Sequence, residues 1–291
     1  MNTFFLDRLN SEPHALAFAG QSTPWPVALA DQSANPALDE ALHTHAAAAQ
    51  ALLYPVSAEL LATTGRPVDL FGFEPNPARL GAAAAASASV PGIALTQLGA
   101  LLDAAALGYN PTQAKPVAVL GHSQGVLAVH MVQAICEAGS IDAAAAKIDE
   151  ILAIATLIGV AGTRQARQLG LAARHGEATP MLSVKDITRA QVDALIERVD
   201  GARGPIAVAV TNSATHYVLS GYPEDLAAFG VEVAKEHKRQ AQLREEKVRG
   251  GRVFNPVLEY LDVTLPFHSP LMADAVSQAV AWAEACGINA D

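Results

Sequence analysis

The sequence predicts an α/β protein with a parallel-sheet core and a smaller subdomain inserted into it. Two features of the chain predict this class. Short apolar runs, typical of buried strands, alternate with alanine- and leucine-rich helical segments over the first 178 residues. Between residues 179 and 264 the predicted order changes to β-α-β-β-α-β. A chain of 291 residues with 51% hydrophobic content can bury the core that such an architecture needs.

The elements of the core follow one another in a regular order. Strands are predicted at "HALAFAG" (14–20) and "PVAVL" (116–120), and helices at 37–63, 93–107, 124–138 and 143–168. The uncharged run 84–102 approaches the roughly 20 residues that a membrane span needs. Pro91 and Gly92 are expected to break this run, and Ser, Thr and Gln dilute it. We therefore predict no membrane association.

The second subdomain is predicted from a change in pattern near residue 179. The runs "MLSV", "IAVAV", "YVLSG" and "LEYLDVTL" are typical of strands, and helices are predicted at 187–199 and 223–239. This order is the ferredoxin-like arrangement. The predicted domains are a core at 1–178, a ferredoxin-like subdomain at 179–264 and a return to the core at 265–291.

Charge and cysteine content exclude several classes of protein. The net charge of −10 argues against nucleic-acid binding, which depends on Lys and Arg to neutralise phosphates. Cys136 and Cys286 are too few for a disulfide framework, and charged residues interrupt the N-terminus where a signal peptide would be apolar. We predict a cytoplasmic location. His43 and His45 would face different sides of a helix, so no metal site is predicted.

The stretch "VAVLGHSQGVLAVH" (117–130) indicates a nucleophilic serine. A predicted strand enters Gly121-His122-Ser123-Gln124-Gly125 and a predicted helix leaves it, which is the context of a nucleophile elbow. Small residues on either side allow the sharp turn that exposes the serine hydroxyl. The N-terminal N–H groups of the following helix would face a developing oxyanion. A chance match to G-x-S-x-G in a glycine-bearing loop is the alternative.

A serine nucleophile needs a base, which is most often histidine. Of the nine histidines, His268 in "TLPFHSPLM" lies at the end of a predicted strand in a proline-flanked turn. Active-site residues are commonly found on such loops, so His268 is the candidate base. His122 lies beside the serine and is expected to shape the pocket.

Four blocks in order carry a resemblance to a known family. These blocks are "AFAGQSTPW", "LTQLGALL", "GHSQG" and "PFHSPLM", joined by "TNSATHYVLSG" and "KVRGGRVFNPV". The sequence resembles the acyl-CoA:acyl-carrier-protein transacylases, and among them the N-terminal acyltransferase domain of actinobacterial type I fatty acid synthases. The resemblance covers nearly the whole chain and implies an α/β-hydrolase-like core.

The resemblance also implies a role for individual residues. Ser123 would be acylated by a coenzyme A thioester, with His268 as general base and then general acid. The backbone N–H groups of Gln21 and Gln124 would form the oxyanion hole, and Gln97 and Asn212 would support the pocket. Helix-surface and strand-end positions without function are the alternatives for the last two. No bound cofactor is expected.

The acyl group is expected to be uncharged. In malonyl-transferring members of the family, an arginine followed by glycine on a helix after the elbow binds the substrate carboxylate. The matching pair here is Ile158-Gly159, and isoleucine offers no partner for a carboxylate. Acetyl is therefore predicted, with Phe267 keeping the pocket small. In an alignment shifted by a few residues, Arg164 or Arg167 would be the clamp and the enzyme would transfer malonyl.

The resemblance implies the acyl carrier protein and the other domains of a fatty acid synthase as partners. The run from Lys235 to Arg252 holds seven basic residues that could steer these anionic ligands, or it could be a solvated helix face balanced by glutamates. The chain departs from the family at Gly20-Gln21-Ser22, where G-Q-G is usual. It also ends soon after His268, so we expect a truncated domain.

Two other classes of function remain open from the sequence. An α/β-hydrolase esterase or thioesterase also uses G-x-S-x-G and a late histidine. It would need an acidic residue after a strand between Ser123 and His268, and the acids of that interval lie mostly in predicted helices. A non-catalytic scaffold within a larger synthase is the third class.

Overall fold

The computed structural model describes residues 8–21, 24–71, 86–171, 178–245 and 254–289. The chain forms two compact units, Met1–Arg164 with Val276–Asp291, and Gln165–Ala275. These boundaries differ from the predicted ones at 178/179 and 264/265. Gln165, near the end of a long helix, belongs to the second unit and donates a hydrogen bond to the carbonyl of Leu271 (3.0 Å) in the same unit.

The described strands of the first unit form a two-stranded parallel sheet. Strand β1 (Ala15–Phe18) pairs with β2 (Ala118–Gly121), so that Phe18 lies opposite Gly121. The His122 N–H extends this pairing by donating to the Phe18 carbonyl at 2.9 Å. Because the strands are parallel, the segments that follow them leave from the same edge of the sheet. That edge carries the candidate nucleophile.

Most of the described first unit is helical, and several helices differ from prediction at their ends. The described helices of the first part of the chain are α1 (Trp25–Ser33), α2 (Pro36–Leu52), α3 (Ser57–Thr64), α4 (Ala86–Ala106), α5 (Pro111–Ala114), α6 (Val126–Ala138) and α7 (Ile141–Gln168). The helix predicted at 37–63 is divided by a 3₁₀ turn at Tyr54–Val56. Pro55 explains the division, because proline has no N–H to continue the α-helical ladder.

The predicted break at Pro91 and Gly92 is wrong, because α4 continues through both residues. Proline removes one backbone hydrogen bond, to the carbonyl of residue 87, and close packing retains the helix. Gly92 lies against the Trp25 ring, where a Cβ would be 2.4 Å from a ring carbon. Within the described ranges, α4 is the one helix whose length and apolar composition would suit a membrane span, and 72% of that stretch is buried inside the protein.

The second unit contains an antiparallel four-stranded sheet. Its elements are β3 (Met181–Lys185), α8 (Arg189–Ile196), β4 (Ala207–Ser213), β5 (His216–Ser220), α9 (Pro223–Glu245) and β6 (Val257–Tyr260), in the predicted β-α-β-β-α-β sequence. The order across the sheet is β4-β5-β3-β6. Leu182, Val184 and Leu219 pack with Phe229 of α9 on one face. Met181 and Val218 form a second apolar cluster, to which Phe267 is packed.

Helix α10 (Ala273–Ala285) follows the second sheet and returns the chain to the first unit from residue 276. Its Trp282 is buried with 2% of its surface exposed, and the indole N–H donates to a Glu59 carboxylate oxygen of α3 at 2.5 Å. Residues far apart in the sequence therefore complete one unit.

Candidate active site

Ser123 lies in a tight turn between β2 and α6. It begins a 3₁₀ turn, Ser123–Gly125, and its φ of +52° is in the left-handed region that residues with a Cβ rarely adopt. Glycine is required on both sides of it. A Cβ on Gly121 would lie 2.5 Å from the Val126 nitrogen, and one on Gly125 would lie 2.3 Å from the Phe18 carbonyl oxygen. The local geometry is that of a nucleophile elbow.

The segment after β1 lies directly against this elbow. A Cβ on Gly20 would be 2.6 Å from the His122 carbonyl oxygen and 3.1 Å from the Ser123 Cβ. The Gln124 nitrogen is 3.4 Å from the same position. Glycine at position 20 therefore lets the segment after β1 pack closely against the turn at Ser123. The neighbouring Ser22 lies outside the described residues.

Gln97 of α4 supports this segment through a side-chain hydrogen bond, and its role beside a pocket stays a prediction. Its side-chain nitrogen donates to the Ala19 carbonyl at 2.7 Å. The side chain is buried, and its Oε1 has no hydrogen-bond partner among the described residues. Gln97 thus holds the chain one residue before Gly20.

The side chains of Gln21 and Gln124 contact each other. The Gln21 amide nitrogen donates to the Gln124 Oε1, and the Ser89 hydroxyl donates to the Gln21 Oε1 at 3.2 Å. The Gln124 amide nitrogen donates to the Val90 carbonyl at 2.5 Å. The two residues whose backbone N–H groups are the candidate oxyanion hole are therefore joined to each other and to α4.

His268 lies in the second unit, in an exposed turn that follows Phe267. Its φ of +57° is also left-handed. The turn is held by Ser269, whose hydroxyl donates to the Pro266 carbonyl at 2.7 Å. Phe267 anchors it by packing on the cluster of Met181 and Val218. A histidine placed this way has a fixed backbone and an accessible ring.

Asn212 lies near the end of β4, at a register irregularity between Thr211 and Ser213. Its side-chain nitrogen is 3.5 Å from the His216 Nε2, which is 3.1 Å from the Ser183 hydroxyl. Neither His216 nor Ser183 was predicted as a site residue from the sequence. The available signal was a polar residue inside an otherwise apolar strand, since Ser183 is buried in β3.

Ile158 is exposed within a stretch of α7 that is otherwise buried from Ile151 to Ala161 apart from Ile154, which is half-buried. The next residue, Gly159, lies against the first turn of α4, where a Cβ would be 2.3 Å from the Ala86 carbonyl oxygen. The following turn of α4 carries Ser89 and Val90, which bind the two glutamines. The backbone next to Ile158 thus packs on the helix that contacts both glutamines.

The two arginines of the shifted alignment lie elsewhere on α7. Arg164 donates to the Gln278 side-chain oxygen at 2.7 Å, and its guanidinium is 6.0 Å from the Trp282 ring centre. Arg167 is exposed in the last turn. Arg164 is six positions from Ile158, so the two side chains leave the helix on different faces.

Two of the four basic residues in the described part of the basic run are paired with glutamates. Lys235 binds Glu232 at 2.6 Å and Arg239 binds Glu236 at 2.5 Å. Hydrogen bonds from Arg239 above all, and then from Gln240 and Arg198, hold the pKa of the Glu236 carboxyl down at about 2. These pairs favour the balanced helix face for this part. Lys247, Arg249 and Arg252 lie outside the described residues.

The structure therefore gathers the predicted residues into two groups. Ser123, Gln21, Gln124 and Gln97 meet in the first unit, with the exposed His122 beside the serine. Phe267, His268 and Asn212 belong to the second unit. The pairing of Ser123 with His268 stays a prediction. Among the described residues, no group of three or more His, Cys, Asp or Glu side chains is placed to hold a metal ion.

Comparison with known proteins identifies the fold and shows which proteins the chain resembles in sequence. A family model described as the fatty acid synthase central AT domain matches residues 180–260. The beta subunit hexB of the fatty acid synthase of Dothistroma septosporum is 27% identical over 164 residues, which are 52% of this chain and 8% of that protein. The chain thus spans less than a tenth of the length of this curated relative.

Solved structures of similar fold include the MCAT of Mycobacterium tuberculosis, with a TM-score of 0.57, 21% identity, and coverage of 94% of this chain and 70% of that one. PlMCAT, solved with the type II polyketide synthase acyl carrier protein AntF, has a TM-score of 0.51, 18% identity and coverage of 96% and 71%. The fold is that of the α/β acyltransferases. The chain is similar in sequence to fatty acid synthase subunits and in fold to acyltransferases of the MCAT type, as the resemblance predicted.

Proposed function

We propose that this chain is the acyltransferase of a type I fatty acid synthase, similar to the N-terminal domain of actinobacterial synthases. It would move an acyl group from coenzyme A through Ser123 to the acyl carrier protein. The observation that carries this proposal is the left-handed Ser123 at the start of a helix, with Gly20 packed against it. Such a turn presents a hydroxyl to substrate, and both neighbouring segments supply N–H groups.

The chemistry follows from these positions. As the Ser123 Oγ bonds to the thioester carbonyl carbon, its proton passes to His268. The carbonyl oxygen becomes an oxyanion that accepts hydrogen bonds from the N–H groups of Gln21 and Gln124. The carbon–sulfur bond then breaks, and the coenzyme A thiol leaves with the proton from His268. The carrier-protein thiol reverses these steps: it gives its proton to His268, attacks the ester and releases Ser123.

The same proposal includes a fold type for each of the two units. The core would be α/β-hydrolase-like, built on the parallel pair of β1 and β2, and the second unit would be the ferredoxin-like subdomain. The sheet order β4-β5-β3-β6 with two helices on one face supports the latter description. His216 and Ser183 would then hold Asn212 toward the substrate from this subdomain.

Acetyl is the proposed acyl group. Ile158 offers an exposed apolar side chain at the position of the family's arginine, and Gly159 holds that position against α4. Arg164 is bound by Gln278 on another face of the helix, which argues against the shifted alignment. Burying a malonyl carboxylate without a cationic partner would be unfavourable. Phe267 would limit the size of the pocket.

The partners follow from the family and are proposals for this chain. Coenzyme A thioesters would be substrates with no bound cofactor, and the phosphopantetheine arm of an acyl carrier protein would be the acceptor. The other domains of a fatty acid synthase would be neighbours, and the location would be cytoplasmic. The solved pair of PlMCAT and AntF supports an acyl carrier protein as partner for this fold.

Exposure of the chain to acetyl-CoA should produce an acetyl adduct on Ser123, detected by intact-protein and peptide mass spectrometry. The change Ser123→Ala should abolish the adduct because the attacking hydroxyl is gone. The change His268→Ala should slow acylation by about 10²–10⁴, as is typical for the loss of a general base.

The serine variant should keep the parent's circular dichroism spectrum. An adduct of unchanged yield in Ser123→Ala would rule out the assignment. Hydrolysis of the thioester that is much faster than transfer to the carrier protein would indicate an esterase instead. A parent serine that reacts with no acyl-CoA and no serine-directed phosphonate would indicate a scaffold.

The change Ile158→Arg should shift the ratio of kcat/KM values from acetyl-CoA toward malonyl-CoA, because a guanidinium can bind the free carboxylate in a bidentate geometry. Leu61→Arg is the matched control, since Leu61 is a 45% exposed leucine on α3. The measurement is loading of Ser123 by the two thioesters in competition. A parent that already loads malonyl as well as acetyl, or that loses only malonyl loading in Arg164→Ala, contradicts the acetyl proposal.

A further inference from the structure

We propose that the side chains of Ser89, Gln21 and Gln124 act as a positioning relay that sets the geometry of the oxyanion hole. The inference rests on the proposed function, which uses only the backbone N–H groups of the two glutamines. The relay assigns a separate role to their side chains. They would fix the two N–H groups relative to each other without touching the substrate.

The relay is a continuous chain of hydrogen bonds with one direction. It starts at the Ser89 hydroxyl, passes through the amides of Gln21 and Gln124, and ends at the Val90 carbonyl. Since the Gln124 nitrogen faces a carbonyl, its oxygen is left to face the Gln21 nitrogen. Each amide therefore has one orientation that satisfies both of its contacts. Ser89 is 5% exposed, so no bulk water competes for the first bond.

Both ends of the relay lie on one helix, which also holds the loop by a second contact. Ser89, Val90 and Gln97 share a face of α4, because residues seven or eight apart lie close in angle on an α-helix. Gln97 binds the Ala19 carbonyl and Ser89 binds the Gln21 side chain. The helix thus holds the loop on both sides of Gly20, the residue that lies against Ser123.

The side-chain hydrogen bonds restrict how far the loop after β1 can move relative to the turn after β2. The loop after β1 and the turn after β2 are joined in the sheet by the bond from the His122 N–H to the Phe18 carbonyl, and beyond it Gly20 packs against the turn. The amide contact of Gln21 with Gln124 adds a side-chain connection between the two segments. Donors that are already in place at the oxyanion lower the barrier most, and a displacement of about 1 Å can cost ~10²-fold in rate.

The test uses Gln21→Met and Gln124→Met, which keep the backbone N–H groups and nearly keep side-chain volume but remove the amides. Each should lower kcat for transfer from acetyl-CoA to the carrier protein by about 10–100-fold. The KM for acetyl-CoA should change by less than about 3-fold, since a loss confined to the transition state appears in kcat. The double variant should be no slower than the slower single variant, because both changes break the same chain.

Gln133→Met is the matched control. Gln133 is an exposed glutamine on α6 that binds Glu137 at 2.8 Å, so its loss should leave kcat unchanged. A readout independent of acyl transfer is hydrogen exchange of the peptide covering Ala19 to Gln21. Exchange should rise several-fold in Gln124→Met and in Ser89→Ala but not in Gln133→Met, because only the first two release the loop.

The outcomes separate the relay from the function on which it rests. A parent that forms no acyl-enzyme overturns the proposed function. A parent that does so, together with methionine variants of unchanged kcat and exchange, overturns the relay. Rate losses that multiply in the double variant also overturn it, since they indicate two independent packing effects. If Gln124→Met does not fold, Ser89→Ala and Gln21→Met test the same chain from its other end.

Discussion

The backbone of Ser123 adopts a left-handed φ, which is unfavourable for a residue with a Cβ atom. Among the described residues, four non-glycines have positive φ: Lys115, Ser123, Asp186 and His268. Lys115 ends a helix, where a left-handed residue is common. Ser123 and His268 are the two candidate catalytic residues, and each left-handed Cβ costs about 1–2 kcal/mol. Such strain persists where surrounding contacts fix the chain, here the glycines around the elbow and the Ser269 bond beside His268.

Removing the hydroxyl should therefore affect stability differently depending on the replacement. Ser123→Gly should be more stable than Ser123→Ala by about 1 kcal/mol, because glycine tolerates the left-handed φ and alanine does not. The same comparison at Gln133, inside α6, should have the opposite sign, with glycine less stable than alanine by about 0.5–1 kcal/mol. Urea unfolding followed by circular dichroism measures all four variants. An alanine that is the more stable variant at both positions would show that the elbow stores no strain.

Most elements could be predicted from the sequence because each is specified locally. The apolar run before Gly121 forms β2, and the six elements of the second unit follow in the expected order. The predicted break in α4 failed for a non-local reason. Proline and glycine disfavour a helix by composition, whereas the packing of Trp25 against Gly92 is visible only in three dimensions.

For the candidate site, the sequence could predict individual residues but not the contacts between them. Ser123 was identified by its flanking strand and helix, and Gln21, Gln97 and Gln124 by the resemblance. The contact between Gln21 and Gln124 joins residues 103 positions apart, and that between Ser183 and His216 joins residues 33 apart. No local pattern encodes such pairs, since they depend on sheet register and on the approach of α4. The proposed pairing of Ser123 with His268 would likewise join residues far apart in the sequence.

At the scale of the whole chain, the first unit is discontinuous. Its last segment, Val276–Asp291, follows 111 residues of the second unit, Gln165–Ala275. Helix α10 closes the unit through Trp282, which binds Glu59 across 223 positions of sequence. Arg164 adds a bond to Gln278 and lies 6.0 Å from the Trp282 ring centre. The core that carries Ser123 thus depends on residues near the C-terminus.

This dependence predicts that a substitution in α10 weakens the unit that holds the elbow. Trp282→Ala should lower the free energy of unfolding by about 3–5 kcal/mol, because it leaves a cavity where a 2% exposed ring was packed. Trp282→Phe keeps much of the ring but loses the indole N–H that binds Glu59, and should cost less, about 1 kcal/mol. Val280→Ala is the control on the same helix, since Val280 is 41% exposed and should cost no more than about 0.5 kcal/mol.

Urea unfolding gives these free energies of unfolding. Hydrogen exchange shows which segments of the chain lose protection. Trp282→Ala should raise exchange in α3, which carries Glu59, and in the part of α7 that ends at Arg164. Both segments belong to the first unit and are distant from residue 282 in sequence. Equal losses in Trp282→Ala and Val280→Ala, or increased exchange confined to α10 itself, would mean that the C-terminal helix packs on the first unit without stabilising it.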